Sequence, residues 1–213
     1  MAVLTCVAIL GIAVVTSTHS NSPALILAST SIYRRALLER LKLPFTVRQP
    51  GVDETAVRGE TPLARAQRLA LAKAGAIARQ EPTAVVIGAD QVAACNGQIL
   101  DKPGDAATAR AQLSVQSGRA VQFFSAVAVI RADRDFEDCF VDLTTVVLRP
   151  LSTTEIDAYL IADQPFDCAG AQRSEALGVT LCERIDSADP TGLIGLPLIR
   201  LCASLRACGY ALP

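Results

Sequence analysis

"LILASTSIYRRALLERL", residues Leu25–Leu41, begins as a β-strand and ends as a helix. The strand is the buried run "PALILA", and Ser29, Thr30 and Ser31 form a hydroxyl-rich turn after it. Leu37, Leu38 and Leu41 then recur at helical spacing, and Arg34 shares their stripe rather than the solvent face. Arg34 and Arg35 lie in the first helical turn, at the positive end of the helix dipole. Each cation there costs roughly 0.3–1 kcal/mol unless an anion shares the place. A strand, a hydroxyl turn and a cationic helix start therefore predict an anion site at a strand end.

Beyond this stretch, "FTVRQP" alternates like a strand and "GVDETAVRGE" reads as a loop. Thr61 with Pro62 opens a long helix. "TAVVIGAD" is a buried strand, and "QVAACNGQILD" is a hairpin around Asn96-Gly97, the pair a type I′ turn prefers. "DAATARAQLSVQSG" is helical; "AVQFFSAVAVIRA" and "CFVDLTTVVLRP" are antiparallel neighbours across "DRDFED". Ser152 and Glu155 form a capping box before the helix "TEIDAYLIAD"; "VTLCERID" is a strand, and "LPLIRLCASLRAC" a last helix ending at Gly209. The expectation is an α/β fold, a mixed central sheet flanked by helices, with ligands bound where strands end.

At 213 residues the chain has the length of one domain, here residues 24–213, preceded by an extension over residues 1–23. The apolar part of that extension, "AVLTCVAILGIAVV", is shorter than the ~17–25 residues of a membrane span and lacks a basic leader. A start placed too far upstream, a packed extension, and a signal or anchor are the three readings. The formal net charge of −1 gives no bulk attraction to nucleic acid or an acidic membrane. Seven cysteines in odd number, with no C-x-x-C pair, fit a reduced, cytoplasmic protein rather than a disulfide framework or zinc site. The single histidine, His19, lies in the polar connector "TSTHSNSP", which argues against a Ser-His-Asp triad.

The long helix repeats the anomaly of the first. Leu63, Ala66, Leu69, Ala70, Ala74 and Ile77 share one arc with Lys73 in its middle, while Arg65, Arg68 and Arg79 fall on the far side. Lysine is scarce, three against seventeen arginines, so its place on an apolar stripe stands out. Two buried cations either snorkel to water or line an anion cleft. In a regular hairpin Gln91 faces Lys102, making Asp90 a diagonal neighbour with Cα atoms about 6 Å away. Asp90 ends a buried strand after Gly88-Ala89, and Glu54 is a second carboxylate in "VDET". Three cations and two carboxylates fit a polyphosphate site with a divalent cation, Mg²⁺ or Mn²⁺, held by Glu54 and Asp90. With no histidine at hand, the base that activates water is a carboxylate. A free carboxylate is a weak base at neutral pH, so the metal must do much of the activation.

In this order, "LILASTSIYRRALLERL", "VDET", "RLALAKA", "VIGADQV", "LDKP" and "CAGAQRSEALG" resemble the Maf-like nucleotide pyrophosphatase family. The resemblance covers Leu25 to Leu205. It implies a fold with a central nucleotide cleft, related to inosine-triphosphate pyrophosphatases, and metal-dependent cleavage of a nucleoside triphosphate between its α and β phosphates. It further implies Asp90 as proton acceptor with Lys73 and Lys102 beside it, Ser29, Arg34 and Glu54 among the polar cleft positions, and a homodimer. Arg35, the second cation of the helix start, is expected to bind substrate with Ser29 and Arg34. Ile32 departs from the family's usual Pro at the helix start. The family's two branches differ at positions matching Tyr33, Gln91 and Glu175, and this set resembles the branch acting on 7-methyl-GTP. That branch typically has Trp where Tyr33 stands. A positively charged 7-methylguanine would stack on Tyr33, and Glu175 would accept from N1–H and N2–H₂. The competing readings are a dTTP or UTP pyrophosphatase and a non-catalytic nucleotide-binding regulator of cell division.

Overall fold

A computed structural model describes residues 22–213. The expectations for the N-terminal run fall almost entirely outside these residues. One mixed sheet of seven strands organises the chain. Its elements are β1 (Leu25–Ala28), α1 (Ile32–Glu39), β2 (Thr46–Val47), α2 (Pro62–Ala78), β3 (Val85–Cys95), β4 (Gln98–Leu100), α3 (Ala106–Gln116), β5 (Ala120–Arg131), β6 (Phe136–Leu148), α4 (Thr153–Asp163), β7 (Cys182–Asp186) and α5 (Leu198–Ala207). The strands lie in the order β2-β1-β3-β5-β6-β7, with β4 also on β3. β1 runs parallel to β2 and β3, and the other pairings are antiparallel.

Local signals explain most boundaries. Thr61 accepts the Ala64 N–H with Pro62 behind it, Asp105 accepts the Thr108 N–H, and Ser152 with Glu155 closes the expected capping box. Asn96 and Gly97 both have positive φ, 50° and 77°, as a type I′ turn requires. The segments expected as separate strand and hairpin are one continuous strand, β3. The "FTVRQP" strand shrinks to two exposed residues at the sheet edge.

β3 has a divided edge. β5 covers one side from Val86 to Cys95 without a break. On the other side β1 pairs only with Val85–Gly88, and β4 only with Ala93–Cys95. Asp90 and Gln91 lie in the gap, the crevice geometry that open α/β sheets use for ligands. One face of the sheet carries α2 on a cluster containing Ile26, Ala70, Ala74 and Val86. The other carries Leu37, Leu201 and Leu205 from α1 and α5 on Val85 and Ile87, and, farther along, Leu113 and Leu160 from α3 and α4 on Ala93 and Cys95.

α2 approaches β3 at backbone distance. A Cβ on Gly88 would collide with the Ala70 carbonyl oxygen and the Ala74 nitrogen. Alanine on the helix and glycine on the strand permit this contact. It sets Lys73, beside Ala74, next to Asp90, two residues past Gly88.

Candidate active site

Lys73 Nζ is 2.7 Å from Asp90 Oδ1 and 3.0 Å from Glu54 Oε1. Lys73 and Asp90 are buried, with relative exposures of 6% and 8%, while Glu54 stands on an exposed loop. Two elements hold that loop. Asp53 accepts from both the backbone and the hydroxyl of Thr55, at 2.9 and 2.6 Å. Arg68 forks onto both oxygens of Glu60 at 2.6 and 2.8 Å and reaches the Thr55 carbonyl at 3.3 Å. Arg68 was expected on the far side of α2, and no local sequence signal marks this tie.

Arg34, at the start of α1, lines the cleft. Ser31 is the N-cap of α1, and Arg34 turns into the cleft rather than the core. Its Nε donates to the Gly195 carbonyl at 3.1 Å, and Nη1 reaches the buried Ser29 Oγ at 3.5 Å. Burial pushes its guanidinium below its ordinary pKa, and the charges of Asp90 and Glu54 pull it back up. Gly195 has φ +116°, which a side chain would strain. Arg35 does not join the cleft. It lies in solvent and pairs with Glu39 one turn on, at 3.0 Å, because the next helical position points away from Arg34.

The expected ladder position of Lys102 is corrected. Pairing of β3 with β4 ends at Leu100, so Gln91 and Lys102 are not partners. The chain is drawn aside instead: the Asp101 carbonyl accepts from Gln112 Nε2 at 2.9 Å and Gly170 N at 3.4 Å, and Gly104 N donates to Phe166 O. Pro103 also lacks the N–H that a continued ladder needs. Lys102 nevertheless lines the cleft, exposed and without an ion pair among the described residues.

A cavity of about 630 Å³ joins these groups, within the range of small-molecule sites. Ser29, Arg34, Glu54, Lys73, Asp90 and Lys102 border it together with Tyr33, Gln91 and Glu175. Tyr33 donates to Asp167 Oδ2 at 3.2 Å, and the Arg173 guanidinium is 5.8 Å from its ring centroid. Gln91 Nε2 donates to Leu193 O (2.8 Å), Ser125 Oγ (2.9 Å) and Gly192 O (3.2 Å). The carbonyl acceptors fix the amide orientation, so Gln91 Oε1 is the free acceptor. Arg65, expected on the far side of α2, borders the cleft as well. Its spacing of eight residues from Lys73, two helical turns, was the available signal.

Among the described residues no three His, Cys, Asp or Glu side chains form a metal cage, and no helix is long and apolar enough to cross a membrane. Glu54 and Asp90 converge on one point, now bridged by an ammonium. Two carboxylates completed by phosphate oxygens are a donor set that suits Mg²⁺ or Mn²⁺. The six cysteines of the described residues are free thiols.

Sequence comparison agrees with this geometry. The profile described as Maf-like protein matches residues 24–208. The chain belongs to the Maf family. It is 53% identical to a 7-methyl-GTP pyrophosphatase of Polaromonas sp., over 92% of this chain and 90% of that protein. It is 53% identical to one from Bordetella avium, over 90% of this chain and 95% of that one. A third, from Xanthomonas oryzae pv. oryzae, is 52% identical over 90% of this chain and its own full length. The Staphylococcus aureus Ham1 protein aligns in structure with a TM-score of 0.43 and 17% identity, over 59% of this chain and 71% of that one. The cleft of this Maf chain is bordered by the turn into α1, the loop of residues 49–54, the α2–β3 contact, and the segments around residues 100–102, 167–175 and 193–194.

Proposed function

We propose that this Maf protein is a cytoplasmic hydrolase that converts 7-methyl-GTP and water to 7-methyl-GMP and diphosphate. The observation that carries the reading is the convergence of Arg34, Lys73 and Lys102 with Asp90 and Glu54 in one cleft. Relatives about half identical over nine-tenths of the chain bear the corresponding name.

In this mechanism the triphosphate lies across Arg34 and Lys102, whose positive charges offset its own. Asp90 accepts the proton of the attacking water, and Lys73 holds the Asp90 carboxylate in place at 2.7 Å. Glu54 and Asp90 would hold the divalent ion, Mg²⁺ or Mn²⁺, whose chemistry is to neutralise phosphate charge and acidify bound water. Tyr33 offers a ring for stacking, Glu175 accepts from the N1–H and N2–H₂ edge of the base, and Gln91 presents Oε1.

One observation favours a second reading. Arg173 over Tyr33 places a cation beside the stacking ring, which suits a neutral base better than a charged one. A dTTP or UTP pyrophosphatase is that alternative. Diphosphate release from 7-methyl-GTP, GTP, dTTP and UTP, with and without added divalent ion, tests both. A rate highest on 7-methyl-GTP supports the first reading, and a rate highest on a pyrimidine triphosphate replaces it with the second. Stoichiometric binding with no hydrolysis overturns both.

A further inference from the structure

Arg65 holds unused donors at the wall of the cleft. With Leu69 and Lys73 it forms a line at four-residue spacing along α2, and all three border the cavity. Its Nη2 is 3.0 Å from Asp101 Oδ1, with side-chain exposures of 15% for Arg65 and 68% for Asp101. Yet none of its side-chain N–H groups makes an aligned hydrogen bond among the described residues, and Nε is buried without a partner. A guanidinium carries five donors, and withdrawing them from water without partners is unfavourable. The neighbouring arginines each make at least one aligned bond. Arg34 bonds to Gly195 O, Arg68 forks onto Glu60, and Arg173, whose Nε is likewise unpartnered, is tied through its two terminal nitrogens to Asp163 O and Asp167. Nor does the Asp101 side chain need Arg65 to hold its loop, because the Asp101 carbonyl is already fixed by Gln112 and Gly170.

We propose that Arg65 is a further substrate-holding residue whose guanidinium exchanges Asp101 for phosphate oxygens when a nucleoside polyphosphate fills the cleft. This rests on the polyphosphate reading of the site given above. An ion pair with a largely exposed carboxylate is weak, whereas a planar fork on phosphate makes two charge-assisted hydrogen bonds. The exchange therefore favours the bound state. Asp101 acts as a placeholder that keeps the guanidinium oriented and competes with the ligand.

The two partners are consequently expected to respond in opposite directions. R65Q raises KM for the triphosphate about tenfold or more, the scale of a lost charge-assisted bond, with kcat changed less than about threefold. D101N lowers KM a few-fold. Calorimetric titration with inorganic tripolyphosphate shows the same opposite shifts in Kd without requiring hydrolysis. R65K, which keeps the charge but loses the fork, falls between wild type and R65Q, and it carries the test if R65Q fails to fold. Equal losses in R65Q and D101N would show a structural clasp and overturn the proposal, as would an unchanged Kd in R65Q. Wild-type protein that binds tripolyphosphate but hydrolyses no nucleotide would overturn the proposed function while leaving the Arg65 comparison intact.

Discussion

Lys73 Nζ lies 2.7 Å from Asp90 Oδ1, and the pair is buried at the one stretch of β3 where a strand edge is open. The ammonium comes from a helix and the carboxylate from a strand, 17 residues apart, brought together by the Gly88 contact. Asp90→Asn keeps the shape of the acceptor and removes its charge. It is expected to lower kcat by about 10²–10⁴, the usual contribution of a general base. Nucleotide affinity, read by titration, should change far less. Full activity in D90N would remove Asp90 from the mechanism.

The Gly88 contact can be tested by itself. A methyl at this position meets the backbone of Ala70 and Ala74, which cannot rotate away. Gly88→Ala should cost about 1–3 kcal/mol or more in denaturant unfolding, as overpacked cores do. By displacing α2 it should also lengthen the Lys73–Asp90 contact, so kcat should fall even where the variant is fully folded. Gly118→Ala probes a glycine away from this contact and should leave kcat near wild type despite its φ of +67°.

The sequence exposed some of this arrangement and hid the rest for identifiable reasons. Lys73 was visible because a lone lysine on an Ala/Leu stripe violates the periodicity around it. Arg34 was visible because it falls on the apolar stripe of its helix; the dipole argument alone marked Arg35 as well, which the fold leaves in solvent. The strand order around β5 and β6 followed from alternation and a short polar turn, and twelve residue pairs bear it out. Arg65 was obscured because it lies roughly 80° from Lys73 at 100° per residue, at the margin of the arc. Lys102 was misplaced because a hairpin carries no local mark of where its ladder stops. The partners that stop it, Gln112 and Gly170, arrive later in the chain. The work of Gln91 was equally out of reach, since its carbonyl acceptors lie 101 and 102 residues away.

The loop that holds those acceptors packs against Asp142 of β6. Gly192 leaves no room for a Cβ beside Asp142 Oδ2, and burial, with the nearby Asp189, pushes the Asp142 carboxyl above its ordinary value of 3.8. A raised folded-state pKa means that the folded protein binds the proton more tightly than the unfolded chain. The stabilising contribution of Asp142 is therefore full below 3.8 and is lost as pH rises through the raised value. Asp142→Asn removes the charge permanently. It should raise Tm at neutral pH, and the gain should shrink toward zero as pH approaches 3.8. A gain that is constant across this window would assign the effect to packing.

Specificity for the base is the most demanding test, because Tyr33 has one neighbour that opposes a cation. With Arg173 5.8 Å from the ring centroid, a base stacked on Tyr33 would have to take the other face. A charged base on Tyr33 gains about 0.5–2 kcal/mol from the ring, so Tyr33→Ala should weaken 7-methyl-GTP about two- to thirty-fold more than GTP. Arg173→Gln removes the opposing charge and should lower KM for 7-methyl-GTP relative to GTP, with Tm measured alongside because Arg173 also ties Asp163 and Asp167. Glu175→Gln retains one acceptor oxygen of two and should raise KM for both guanine nucleotides. The three variants separate the candidates by pattern. Stacking on a charged base requires unequal losses in Y33A and a relative gain in R173Q. Equal losses in the first, with no relative gain in the second, would mean that charge plays no part in how the cleft chooses its base.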